Sequence, residues 1–177
     1  DLPYKQTMGK DKFITYNYDS LGRKIFVSNT SSVDGHLYRY DSLNRLVSDC
    51  YSNAPNVCIR HEYLPGNTQK TTFPNGEYKI ITSQAFGSPE HSKVINIKED
   101  NRETNIIRDD LGFVTAVKQG QVTKHYEYDK NYNLIKYTEP ETGVTEYTYD
   151  AAGKMTHKKA GKNITTYDYD KTNYQLK

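Results

Sequence analysis

The chain has 177 residues, with 24 Lys and Arg against 22 Asp and Glu, for a formal net charge of +2. That length fits one domain or one array, and so balanced a charge excludes bulk attraction to nucleic acid or anionic lipid as its main business. No apolar run approaches the roughly 18 residues of a membrane-spanning helix, so no membrane insertion is expected. Leu, Ile, Val and Phe supply only about 19% of the residues, but 17 Tyr make up the missing bulk. Abundant Tyr and Thr, with Gly, Asn and Asp at short intervals, predict a nearly all-β chain. Position 1 is Asp and no apolar signal core follows it; a processed or excised piece is expected.

One pattern recurs along the chain. The first unit, near residues 14–30, carries Tyr16-Asn17-Tyr18-Asp19-Ser20-Leu21-Gly22-Arg23 and then the apolar Ile25-Phe26-Val27. After an Asp34-Gly35 turn signal the second unit, near 36–50, repeats it as Tyr38-Arg39-Tyr40-Asp41-Ser42-Leu43-Asn44-Arg45 with Leu46-Val47. Degenerate units fill 59 to 120: His61-Glu62-Tyr63-Leu64 with Gly66 and Asn67, Ser83-Gln84-Ala85-Phe86-Gly87, and Ile106-Ile107-Arg108-Asp109-Asp110-Leu111-Gly112 followed by Val114-Thr115-Ala116-Val117. Pro89 to Asn105 is the least repetitive stretch, and holds either an extra hairpin turning at Asp100-Asn101 or a longer loop. Strong units return near 124–138 (Tyr126-Glu127-Tyr128-Asp129, then Leu134-Ile135), near 145–158 (Tyr147-Thr148-Tyr149-Asp150-Ala151-Ala152-Gly153-Lys154) and near 165–177 (Tyr167-Asp168-Tyr169-Asp170). Residues 1–177 therefore read as a single array of about eight units with a period of roughly 20–25 residues.

Each position has a physical task. Two Tyr separated by one residue lie on the same face of a strand, while Asn17, Arg39, Glu127, Thr148 and Asp168 point to the other. The Asp that follows accepts hydrogen bonds from downstream backbone N–H groups and ends the strand in an Asx-type turn. Three residues later stand Gly22, Asn44, Asn67, Gly87, Gly112, Gly153 or Asn173, the residue types that best tolerate positive φ. Tyr132 breaks that rule, and its neighbours Asn131 and Asn133 are expected to take the strained conformation by a one-residue shift. Further turn signals stand between units at Pro74-Asn75-Gly76, Gln119-Gly120, Thr142-Gly143 and Ala160-Gly161. The expected architecture is an antiparallel meander of β-hairpins with about two strands per unit, about sixteen in all. Open sheets of more than about ten strands curl or split, so a curled or spiral sheet, part of a shell or barrel, is expected.

Tyr-Xaa-Tyr-Asp-Xaa-Xaa-Gly-Arg at this spacing resembles the YD repeats of bacterial Rhs proteins, wall-associated YD-repeat proteins, the B and C components of insecticidal toxin complexes, and teneurins. The stretch Tyr137-Thr138-Glu139-Pro140-Glu141-Thr142-Gly143, leading into Tyr147, is especially similar to Rhs repeat junctions. The resemblance implies a β-strip that winds into a hollow shell, often around a toxic domain of the same polypeptide. The Asp-Pro-Xaa-Gly-Leu signature at which Rhs cores release their cargo does not occur in this sequence.

No enzymatic chemistry is expected: no catalytic residue, no cofactor and no metal site. His36, His61, His91, His125 and His157 lie far apart. His61-Glu62 opens like a zincin helix, but Pro65 stands where the second His is required. Asp129, Asn131 and Asn133 imitate the start of a calcium loop, yet Leu134 occupies its Gly position and Pro140 its Glu position. Asp residues that recur in every strong unit point to a repeated joint instead of a single site of paired carboxylates. Arg23 and Arg45 are expected either to pair with a neighbouring unit's Asp or to lie in solvent. Cys50 and Cys58 flank a short loop; they form a disulfide if the strands beside them pair, and are otherwise two buried thiols. The disulfide would favour secretion or the bacterial cell surface.

The leading functional expectation is a structural segment of a secreted or surface-displayed Rhs-type protein, whose partners are further repeats or other domains of the same polypeptide. Two alternatives stand beside it. Regularly spaced tyrosines could stack on glycans in a carbohydrate-binding or adhesive module, or open edge strands could pair with other copies into a β-fibre.

Overall fold

The computed structural model describes residues 4–9, 11–170 and 175–176. Among these it contains sixteen strands and no helix: β1 (Lys5–Thr7), β2 (Phe13–Tyr18), β3 (Lys24–Ser28), β4 (Gly35–Tyr40), β5 (Leu46–Tyr51), β6 (Ala54–Leu64), β7 (Thr68–Thr72), β8 (Tyr78–Phe86), β9 (Ser88–Glu99), β10 (Arg102–Arg108), β11 (Val114–Gln119), β12 (Val122–Tyr128), β13 (Leu134–Glu139), β14 (Gly143–Tyr149), β15 (Met155–Ala160) and β16 (Asn163–Thr166). Strand order is chain order, and the registered pairs are antiparallel, as a meander of hairpins requires. The all-β expectation is borne out. The chain divides into two compact units, Asp1–Thr82 and Ser83–Lys177, with the division inside β8.

Turn chemistry explains the strand ends. Gly22, Asn44, Asn67, Gly87, Gly112 and Gly153 all have positive φ; Asn173 lies outside the described residues. Asp100, with φ of 45°, and Asn101 form the tight connection between β9 and β10, so the least repetitive stretch is a hairpin and not a loop.

Two local expectations are corrected. Tyr132 itself adopts the left-handed conformation, with φ of 61°, because the turn's hydrogen bonds fix which residue stands at that place and no one-residue shift occurs. The cost of that conformation is offset by the Tyr132 ring, which stacks on Phe113 at 4.5 Å between centroids and 15° between planes. Asp34-Gly35 is not a turn centre. The chain reverses over Asn29–Asp34, closed by the Asn29 N–H donating to the Asp34 carbonyl at 2.7 Å, with Ser31 at φ of 56°. Gly35 is the buried first residue of β4, where a Cβ would stand 2.1 Å from the Val27 carbonyl oxygen. Glycine is needed there for the close approach of two backbones.

Burial within each unit is shallow. Cys58 (3% exposed) and Ala116 (5%) are the buried apolar residues among those described, and no large side chain is fully covered. Cross-strand neighbours, more than a deep core, must therefore hold the strands together, as in repeat proteins whose stability is a sum of local terms.

Candidate functional site

The candidate site is the repeated joint itself. In five Asp-led turns among the described residues the Asp carboxylate Oδ1 accepts two backbone N–H groups, two and four residues on. Asp19 takes those of Leu21 and Arg23, Asp41 those of Leu43 and Arg45, Asp109 those of Leu111 and Phe113, Asp129 those of Asn131 and Asn133, and Asp150 those of Ala152 and Lys154, all at 2.8–3.0 Å. The same turn occurs without a carboxylate at Phe73, whose N–H donates to the Glu77 carbonyl and whose carbonyl accepts the Gly76 N–H. Pro74-Asn75-Gly76 is thus a joint of this type. Among the described residues no group of His, Cys, Asp and Glu is arranged to hold a metal ion.

The second oxygen of the carboxylate is used as well. Asp19 Oδ2 accepts Arg23 Nε at 2.6 Å, Asp41 Oδ2 accepts Arg45 Nε at 2.8 Å, and Asp129 Oδ2 accepts Asn133 Nδ2 at 3.0 Å. Arg23 and Arg45 therefore pair with the Asp of their own unit, correcting both alternatives expected for them. The four-residue spacing across a closed turn brings the guanidinium back onto its own carboxylate. Each arginine then reaches the next unit: Arg23 lies 4.9 Å from the Tyr40 ring centroid and Arg45 4.1 Å from that of Tyr63. Lys154 sits likewise 4.8 Å from the ring of Tyr169. The carboxyls of Asp19, Asp41 and Asp129 titrate low. For Asp41 the first cause is the Arg45 N–H, for Asp129 the Asn133 side chain; at Asp19 burial opposes the shift but the Arg23 and Leu21 bonds outweigh it.

The tyrosine doublets occupy one face as the spacing implies. In Tyr16/Tyr18, Tyr38/Tyr40, Tyr126/Tyr128, Tyr147/Tyr149 and Tyr167/Tyr169 both rings are half-buried and the residue between them is exposed. The role of the hydroxyl was not legible in the sequence. Each Asp-led turn is followed by a register shift that leaves one extra residue on the returning strand. Tyr18 pairs with Lys24, Tyr40 with Leu46, Arg108 with Val114, Tyr128 with Leu134 and Tyr149 with Met155. A bulge of this kind disturbs the ladder and leaves a backbone group in need of a partner. The next unit's tyrosine supplies it: Tyr40 Oη donates to the Lys24 carbonyl, Tyr63 to Leu46, Tyr128 to Val114, Tyr149 to Leu134 and Tyr169 to Met155, at 2.8–3.0 Å. In every case the acceptor stands five residues after its turn Asp. Arg108 occupies the second-tyrosine place of a degenerate unit and donates through Nε to the Val94 carbonyl at 3.0 Å. The signal in the sequence is an interval of 14–17 residues from that acceptor to the tyrosine at the second doublet place of the next unit.

Two further features belong to the first compact unit. Cys50 and Cys58 stand directly opposite one another on β5 and β6, 4.1 Å apart at Cα, and are joined in a disulfide. On the tyrosine face, His36 Nδ1 lies 2.6 Å from Asp49 Oδ1 and its ring packs 4.8 Å from that of Tyr51.

Comparison with known proteins agrees with this geometry. The RHS repeat family model matches residues 128–163, the stretch from Tyr128 through the joint at Asp150. No curated protein matches the chain in sequence. Among solved structures, the Photorhabdus luminescens Tc holotoxin pore superposes with a TM-score of 0.71 at 14% identity, over 93% of this chain and 10% of that one. The TcdB2–TccC3 complex gives 0.65 at 16% identity, over 89% and 10%. At such identities the likeness is one of fold, and this chain spans about a tenth of the length of those it matches. The resemblance to Rhs and YD-repeat proteins is borne out.

Proposed function

We propose that the chain is a non-enzymatic stretch of wall in an Rhs-type β-shell, one that encloses or displays a toxin or effector of the same polypeptide outside the cell. The observation that carries this reading is the hydroxyl of the second tyrosine, used unit after unit to join each joint to the one before it. A surface built this way propagates, and its repeated residues are occupied in the propagation. The Cys50–Cys58 disulfide supports an oxidising, extracellular setting. A shell wall also gives a use to half-buried rings, which face an enclosed space instead of a packed core.

Glycan binding through the tyrosines draws less support, since five of the hydroxyls that would meet a sugar already donate to backbone carbonyls. Electron cryo-microscopy of the polypeptide carrying these repeats with its flanking sequence tests the reading. The expected map has this stretch as continuous wall around enclosed density; a discrete domain with its tyrosine face open to solvent would refute it.

A further inference from the structure

The opposite face of the first compact unit carries a feature that the repeat does not explain. Arg39 on β4, Ser48 on β5 and Arg60 on β6 are cross-strand partners in one row, so the two arginines stand about 10 Å apart at Cα with the serine between them. All three line a hollow of about 110 Å³, walled on one side by Leu37 and the Cys50–Cys58 disulfide. A site for a single water needs about 10–15 Å³, so the hollow has room for a small oxyanion.

Three observations single it out, although both arginines are exposed. Neither guanidinium has an ion-pair or hydrogen-bond partner among the described residues, whereas Arg23, Arg45 and Arg108 are all engaged. Ser48, only 8% exposed as a residue, lines the hollow between them, and among the described residues no side-chain hydrogen bond occupies its hydroxyl, which is not itself buried away from solvent. The neighbouring carboxylates are taken: Asp49 by His36, Asp41 by Arg45, and Glu62 by Lys70 at 3.4 Å. Two charges of one sign, with a serine hydroxyl between them, are left without a counter-charge.

We propose that this hollow binds one oxyanion group with a charge near −2, of phosphate type. Each guanidinium fork pairs with two of its oxygens from either side and the Ser48 hydroxyl donates to it from below. A dianion neutralises both arginines at once; a carboxylate neutralises only one. The inference is independent of the shell reading, because it concerns the face that carries no tyrosine doublet.

Titration of the disulfide-intact chain with inorganic phosphate at low ionic strength, followed by calorimetry, tests it. Saturable binding of one phosphate per chain is expected, at least tenfold weaker in Arg39→Gln and in Arg60→Gln, lost in the double variant and weakened a few-fold in Ser48→Ala. Sulfate should compete, and acetate should bind at least tenfold more weakly. Arg39→Lys with Arg60→Lys keeps the charge but loses the forks, and should bind at intermediate strength. Far-ultraviolet dichroism of each variant must match that of the parent chain; if a Gln variant unfolds, the Lys variant carries the test. No saturable binding by the parent chain, binding that survives in the folded double variant, or acetate binding as tightly as phosphate would each overturn the proposal.

Discussion

Replacing Tyr149 by Phe removes one oxygen and leaves the ring. That oxygen donates to the Leu134 carbonyl at 2.8 Å, and the bulge opposite Tyr128 leaves this carbonyl dependent on the next unit for its donor. A hydrogen bond of this kind contributes about 0.5–1.5 kcal/mol net; because the site is half-buried, water offsets part of the loss and about 1 kcal/mol is expected. For a compact unit of the size of Ser83–Lys177 that corresponds to a fall in melting temperature of about 4–8 °C. The control lies two residues away. The Tyr147 hydroxyl has no hydrogen-bond partner among the described residues, so Tyr147→Phe should change stability by less than about 0.5 kcal/mol. Tyr128→Phe removes the equivalent bond to Val114, and combined with Tyr149→Phe it should cost more than either alone, with a measurable coupling because Tyr128 stands opposite Leu134, the acceptor for Tyr149. Urea and thermal unfolding followed by far-ultraviolet dichroism give these differences. Equal costs for the first and second tyrosine of the doublet would refute the reasoning.

Asp150→Ala strips two backbone N–H groups of their acceptor and should lower the melting temperature, while Asp150→Asn keeps an Oδ1 and should recover most of the loss; differential scanning calorimetry of the pair decides this. Stability should fall at both ends of the pH range, read as denaturant midpoints against pH. Asp41 and Asp129 have lowered pKa values in the folded state, so their contribution is present above the unfolded carboxyl value near 4 and is lost as pH falls through the lowered values. Burial, first among the causes, raises the phenols of Tyr38, Tyr128 and Tyr149, so their contribution is present below about pH 10 and lost as pH rises through the raised values. Replacing Cys50 and Cys58 by Ser should reduce unfolding free energy by about 2.5 kcal/mol, the loop-closure figure for a sequence separation of 8, measured by urea denaturation against the oxidised parent.

Much of the fold was legible because the same local chemistry is written several times. One Asp followed by Gly is ambiguous, but Asp19, Asp41, Asp129 and Asp150, each behind a tyrosine doublet, fix turn, face and strand direction together. The places where reading failed share a physical cause. Gly35 resembles a turn glycine, yet its lack of a side chain serves the approach of β4 to β3, a distance that no local pattern reports. Tyr132 takes a positive φ because the turn's hydrogen bonds put it at that place, and Phe113, nineteen residues earlier, receives its ring, a contact no local pattern reports. The bulges lie within each Asp-led hairpin and the hydroxyl bonds they call for run to the next unit; both depend on strand pairing, which the pattern of a single segment does not report. The Arg39–Ser48–Arg60 row is invisible in sequence for the same reason, since only strand pairing brings its members side by side.

The hydroxyl protons of the second-position tyrosines give the most direct test of the claim that each unit is tied to the one before it. Nuclear magnetic resonance of the chain labelled at tyrosine should detect slowly exchanging hydroxyl protons for Tyr40, Tyr63, Tyr128, Tyr149 and Tyr169, with Overhauser contacts to Lys24, Leu46, Val114, Leu134 and Met155 respectively. Hydroxyl protons that exchange with water as fast as those of free tyrosine, and show no contact to those residues, would contradict it.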